Sequence, residues 1–178
     1  MPLLSAGSSV LLVIDLQERL MPAIAGAADV VEQCSRLIRA ATRLEVPVTT
    51  TEQDPDKLGP TVGPLAALLP APAVAKSTFA ADLSFPTATP TTTPTTVVVC
   101  GCEAHVCVQS TVLALRASGH GVAVVADAVG SRSPADRDAA VARMRDHGVD
   151  VVTTEMVVFE WLGTSRNPAF REVQKLIK

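Results

Sequence analysis

Three side chains able to do acid–base or nucleophilic chemistry stand at the ends of short apolar runs. Asp15 follows Val10–Ile14, Lys76 closes Ala73–Lys76, and Cys107 comes just after Val97–Cys100. A cysteine that opens a helix meets unpaired backbone N–H groups and the positive end of the helix dipole, both of which favour its thiolate. A nearby Lys76 ammonium would lower the thiol pKa further. A shift from about 8.5 to about 6.5 raises the thiolate share at pH 7 from roughly 3% to roughly 75%. Asp15 would then carry protons to and from a leaving group. Each residue alone also fits a plainer role, since buried Lys–Asp pairs and inert cysteines are ordinary.

The remaining reactive groups divide between pocket and packing. Cys100 and Cys102 share a face of a predicted buried strand and read as small core residues, and Cys34 lies on the apolar face of a helix. A zinc site of Cys102, His105 and Cys107 matches no common finger spacing, and no second CxxC is present. His105, Gln17, Gln53 and Phe79 are the expected substrate contacts, with loop-tying or core packing as the alternative for each. His120 and His147 adjoin glycines at element ends and are expected to be solvated. Phe159 and Trp161 suit core or a subunit interface.

The elements that must position these groups follow from apolar periodicity. Strands are predicted at Val10–Ile14, Val46–Thr51, Ala73–Lys76, Val97–Cys100, Val122–Ala126 and Val149–Thr154. Helices are predicted over 29–44, from Pro64 through Leu69, from about His105 to Ala117, from Pro134 to near Gly148, and over 167–177. Ser133-Pro134-Ala135-Asp136 has the pattern of an N-cap, a proline at the first helical position and an acid at N3. The threonine- and proline-rich segment 87–96 is an exposed connection rather than a domain linker, because strand and helix alternation resumes beyond it. Strands separated by helices imply right-handed βαβ units. The expected fold is a single α/β domain over 1–178, a three-layer α/β/α sandwich with a mostly parallel six-stranded sheet in the order 3-2-1-4-5-6. Ligands in such sheets sit beyond the carboxyl ends of the strands, where the strand order reverses.

Composition narrows the classes. The 178 residues are 48% hydrophobic and 19% charged, which excludes a disordered chain. With no Tyr, one Trp and four Phe, the core must be aliphatic, as parallel sheets covered on both faces are. Fifteen basic against eighteen acidic residues, scattered without a basic run, speak against nucleic acid or an anionic membrane as partner. No apolar stretch approaches a membrane span. Residues 1–9 lack the pattern of a signal peptide, so a cytoplasmic location is expected.

The run VVVCGCEAHVCVQST, Val97 to Thr111, resembles the nucleophile motif of the isochorismatase-like cysteine hydrolases, in particular the subgroup reading G-x-E-A-H-V-C-V-x-x-T. Val13-Ile14-Asp15-Leu16-Gln17 is similar to that family's first-strand aspartate motif. Thr51-Glu52-Gln53, Leu58-Gly59-Pro60-Thr61 and Lys76-Ser77-Thr78-Phe79 fall where the subgroup has its second loop and its lysine. Glu155–Glu160 resembles the last strand-to-helix segment. The resemblance runs in order along nearly the whole chain. It implies Cys107 as nucleophile, Asp15 as general acid/base and Lys76 as the supporting charge. It also implies a cis Cys102–Glu103 peptide, turning the Glu103 N–H toward the substrate carbonyl to form an oxyanion hole with the Cys107 N–H.

Two departures refine the expectation. True isochorismatases resemble this fold but lack the cysteine, so Cys107 points to acyl transfer at an amide or related C–N carbonyl through a thioester. Nicotinamidases carry histidines in the loop after the second strand, whereas Glu52–Lys57 contains none. No metal and no cofactor are therefore expected. The alternatives are a nucleotide, redox or metal-binding module on a similar sheet, and a catalytically idle family member. The first lacks G-x-G-x-x-G, a P-loop and C-x-x-C. The intact Asp15, Lys76 and Cys107 argue against the second. A small-molecule substrate and a homo-oligomer, at least a dimer, complete the expectation. The oligomer rests on the family and on the apolar stretch Met156–Leu162.

Overall fold

The computed structural model describes residues 3–83, 85 and 95–177. Strands β1 (Ser9–Ile14), β2 (Val48–Gln53), β3 (Val74–Lys76), β4 (Thr96–Cys102), β5 (Gly121–Gly130) and β6 (Asp150–Val152) form one sheet. Its order is β3-β2-β1-β4-β5-β6, with every neighbouring pair parallel. Helix α1 (Ala27–Arg43) covers one face, joined by α6 (Thr154–Leu162) and α7 (Phe170–Gln174). The other face carries α4 (Gln109–Ala117) and α5 (Pro134–Asp146). Two single-turn helices, α2 (Pro55–Leu58) and α3 (Gly63–Ala66), lie between β2 and β3.

Both faces are sealed by aliphatic side chains, as the scarcity of aromatics requires. All six residues of β1 are buried. Leu11 and Val13 face the α1 layer while Leu12 and Ile14 face the α4 layer, the period-2 alternation of a central strand. On α1, Val30, Cys34, Leu37, Ile38 and Ala41 fill one stripe at helical spacing.

Several boundaries move. β2 begins two residues later than periodicity suggests and runs on to Gln53; β5 extends to Gly130, and β6 shrinks to three residues. Pairing with a neighbour decides these ends, and local apolar runs do not see it. The stretch Met156–Leu162 forms most of α6, which the Thr153 hydroxyl caps by accepting from the Met156 N–H. Ser133 opens α5 without a side-chain cap. The expected helix over 167–177 is one short helix, α7, followed by a 3-10 turn at Lys175–Ile177. Residues 87–94 of the proline-rich connection lie outside the described residues.

One expected position is corrected, and one left open between core and interface is decided. His120 is buried rather than solvated, its Nε2 3.2 Å from the Phe85 carbonyl oxygen and its ring edge-on to Phe85. Trp161 is only 4% exposed and donates its indole N–H to the Ser9 hydroxyl at 3.0 Å, so it is core and not interface. Among the described residues, no helix is long and apolar enough to cross a membrane.

Candidate active site

Parallel pairing brings all carboxyl ends to one edge, with neighbouring strands about 4.8 Å apart. In register, Ile14 faces Thr51 on one side and Gly101 on the other, while Gln53 pairs with Lys76. Asp15, Thr51, Gln53, Lys76 and the β4 exit therefore meet above β3-β2-β1-β4. Strand order reverses between β1 and β4, which is where a ligand crevice opens in such sheets.

Local backbone geometry places Asp15. It adopts φ +50°, a left-handed conformation that Asp tolerates better than most residues, and turns the chain off the end of β1. On the neighbouring strand Gly101 has φ +123°, and a Cβ there would lie 2.1 Å from the Ile14 carbonyl oxygen. Only glycine lets β4 come this close to β1 beside Asp15. The pairing of β4 with β5 shifts register between Val99 and Gly101, redirecting the strand end. The Cys102–Glu103 peptide is cis.

Asp15 is fully buried, and its carboxylate accepts from the Thr51 hydroxyl and from the Lys76 ammonium, each at 2.7 Å. Lys76 also donates to Gln53 Oε1 at 2.7 Å and reaches the carbonyls of Thr78 and Phe79 at 3.3 and 3.4 Å. Both charges of the Lys76–Asp15 pair are withdrawn from water. Cys107 completes the group, its thiol 4.0 Å from Gln53 Oε1 and within electrostatic reach of the Asp15 carboxylate.

The depressed thiol expected from a helix start is not what this environment produces. Cys107 lies in a π-helical turn, Ala104–Val108, ahead of α4, and is 6% exposed. Burial, then the Asp15 carboxylate, push its thiol up to about 12, against the opposing pull of Lys76. Burial penalises a thiolate, and the nearest full charge is negative. The resting sulfur thus carries its proton beside a base.

The remaining expected contacts separate into three groups. Gln17 does not face a substrate: its amide donates to the carbonyls of Gln53 and Gly59 and accepts from the Gln53 N–H, tying two loops together. Gln53 does belong to the cluster, holding Lys76 through Oε1 and the Ser77 carbonyl through Nε2. His105 is half-buried, with Nδ1 3.0 Å from the Ser131 hydroxyl. Glu103 accepts from the backbone and side chain of Arg132 at 3.2 and 2.9 Å. The Phe79 ring is 60% exposed, so only its carbonyl takes part.

Cys34, Cys100 and Cys102 pack together in the α1-side core, across the sheet from Cys107. The sheet divides Cys102 from Cys107, and among the described residues no group of three potential ligands could hold a metal ion. A cavity of about 210 Å³ adjoins the cluster, lined by Thr51, Lys76, Thr78, Ala81 and Leu83 among others. A larger cleft, about 560 Å³, lies elsewhere, beside Arg39, Arg43 and Leu68, and holds none of these groups. Ser131 and Arg132 had no sequence signal of their own, and Thr51 entered only as part of a resembling loop, with no role assigned. Thr51 was within reach of register arithmetic, since it stands level with the end of β1.

With the geometry in place, comparison with known proteins decides the lineage. The isochorismatase domain profile matches residues 9–156. The chain belongs to the isochorismatase family. It is 40% identical over 172 residues to isochorismatase domain-containing protein 2 of Xenopus laevis, covering 96% of this chain and 83% of that one. The Homo sapiens protein of the same name is 40% identical over 173 residues, covering 97% and 84%. Among solved structures, one described as the MAR1 ribonuclease of Caenorhabditis elegans superposes with a TM-score of 0.90 at 37% identity, covering 98% of this chain and 91% of that one. The Escherichia coli YcaC product, described as an octameric hydrolase of unknown specificity, shares the fold with a TM-score of 0.80 at 20% identity, covering 99% and 95%.

Proposed function

We propose that this member of the isochorismatase family is a metal-independent cysteine hydrolase that cleaves an amide or related C–N bond of a small molecule. The observation that carries the reading is the buried Lys76–Asp15 pair set against the Cys107 thiol at the reversal of strand order. A protonated thiol beside a carboxylate suits a coupled step. As sulfur attacks the carbonyl carbon, its proton passes to Asp15, so no free thiolate need accumulate. The Glu103 and Cys107 N–H groups receive the oxyanion. Asp15 then returns the proton to the leaving nitrogen as the C–N bond breaks, releasing an amine or ammonia and leaving a thioester on Cys107. Water attacks the thioester and gives a proton to Asp15. Collapse releases the carboxylic acid, and Asp15 restores the proton to sulfur. Throughout, Lys76 and Thr51 hold the carboxylate in place.

A second reading comes from the ribonuclease description of the worm structure. RNA binding is driven by cationic groups on phosphates. This chain carries a net charge of −3, and the one lysine in the cluster is already paired with Asp15. Amide chemistry is the better fit. A homo-oligomer is supported by the exposed Met156 and Phe159 on one side of α6, with Leu3 exposed near its carboxyl end.

The test is a screen of small amides, ureido compounds and carbamoyl amines for released ammonia, with RNA as a further substrate. Turnover should vanish in Cys107→Ala and survive exhaustive chelation. Hydrolysis retained by Cys107→Ala, or RNA cleavage independent of Cys107, would overturn the reading.

A further inference from the structure

Lys76 depends on the chain that follows it. Two of its Nζ contacts are the Thr78 and Phe79 carbonyls, so the path of residues 77–83 helps set where the ammonium sits. That strap runs from the end of β3 past α4, and it is docked on the helix by a buried bond, from the Ala81 N–H to the Thr111 hydroxyl at 3.0 Å. The same hydroxyl donates to the Cys107 carbonyl at 2.7 Å. The direction is not ambiguous. An amide N–H can only donate, so the single hydroxyl hydrogen must point at Cys107.

Three other helix-borne hydroxyls do less. Ser35, Thr42 and Ser118 each bond back to the carbonyl four residues earlier, the usual habit of Ser and Thr in helices. Thr111 makes that bond and also accepts from a residue thirty positions away, in a site with no solvent exposure. Loss of its oxygen would leave the buried Ala81 N–H without its protein acceptor.

We infer that Thr111 is a positioning residue: one hydroxyl joins the turn bearing Cys107 to the strap that cradles Lys76, and so sets the distance between sulfur and ammonium. The inference rests on the proposed cysteine hydrolase reading and adds to it the part that couples two of its groups. Without the bond the strap relaxes outward and draws the ammonium from the sulfur. The thiolate then loses the one positive charge that favours it.

The experiment follows Cys107 itself and needs no substrate. Alkylation by iodoacetamide at pH 9, with peptide mapping to isolate Cys107, should be at least fivefold slower in the near-isosteric Thr111→Val. Thr111→Ser, which keeps the oxygen and loses the methyl, should stay within twofold of the parent. Ala81→Pro removes the donor from the strap side, fixing φ there as well, and leaves the sequence of α4 untouched; it should slow labelling as Thr111→Val does, and it serves if the valine variant does not fold. Parent-like labelling in Thr111→Val or Ala81→Pro would overturn the inference. So would Thr111→Ser as slow as Thr111→Val, which would assign the effect to packing. Lys76→Met separates the two levels of argument. If it leaves Cys107 labelling unchanged, the electrostatic reading of the site fails, and the role of Thr111 falls with it.

Discussion

Replacing Asp15 by Asn should make Cys107 easier to alkylate while abolishing turnover. In the native site the thiol is pushed up to about 12, first by burial and next by Asp15, so roughly one sulfur in ten thousand is ionised at pH 8. Two unit charges about 4 Å apart repel by about 4 kcal/mol at an effective dielectric near 20, equivalent to about three pKa units. Burial persists in the variant, so a fall of about two units is the working figure. That raises the thiolate share at pH 8 about a hundredfold. A less basic thiolate is also a poorer nucleophile, with a Brønsted slope near 0.5, which takes back about tenfold. Net labelling should therefore accelerate about tenfold. Hydrolysis should fall by about 10²–10⁴, the usual contribution of a positioned proton carrier. The assay pairs pseudo-first-order iodoacetamide kinetics at pH 8 with ammonia release on the substrate found in the screen. Removing one partner of a buried ion pair costs about 3–5 kcal/mol, so circular dichroism at low temperature must first establish that the variant is folded. Slower labelling in folded Asp15→Asn would refute the reasoning, because it would make Asp15 an activator of the resting thiol rather than the charge that suppresses its ionisation.

Two further outcomes are expected. Thermal stability should fall as pH rises from about 9 toward about 12. The unfolded chain releases its thiol protons near pH 8.5–9 while Cys102 and Cys107 hold theirs to about 12, so the native state binds more protons across that window. Melting temperature against pH measures this, and Cys102→Ala should flatten the slope even though it lowers the whole curve. At micromolar concentration, light scattering should give a mass above the 18.5 kDa of one chain. Phe159→Asp, at a position 40% exposed, should dissociate the assembly into folded subunits, whereas Trp161→Asp should unfold it. A monomeric parent protein would remove the oligomer.

Much of the fold was legible because its signals are local. Val10–Ile14 and Val97–Val99 are uninterrupted β-branched and aliphatic runs, and such runs bounded by helical periods specify a covered parallel sheet. Asp15, Lys76 and Cys107 could be singled out since each stands at or just past such a run, and parallel strands deliver their ends to one edge whatever the loops do. The motif around Cys107 was enough to suggest the family. What sequence could not carry was the environment of each group. Gln17 and Gln53 are the same residue type at comparable strand ends, yet one is spent on loop carbonyls and the other holds Lys76, a division set by where the Gly59 loop folds back.

Cys107 makes the same point about electrostatics. Chain position places it at a helix start, which favours a thiolate. Only the packed structure surrounds it with apolar walls and sets Asp15 nearer in effect than Lys76, which favours the thiol. His120 and Trp161 were likewise decided by packing, since the residues that cover them are distant in sequence. Sequence determined which groups reach the edge of the sheet, because strand direction and periodicity are properties of a few consecutive residues. Tertiary structure decided their protonation and their partners, because burial and Coulomb interactions depend on distances between segments that the chain order leaves open.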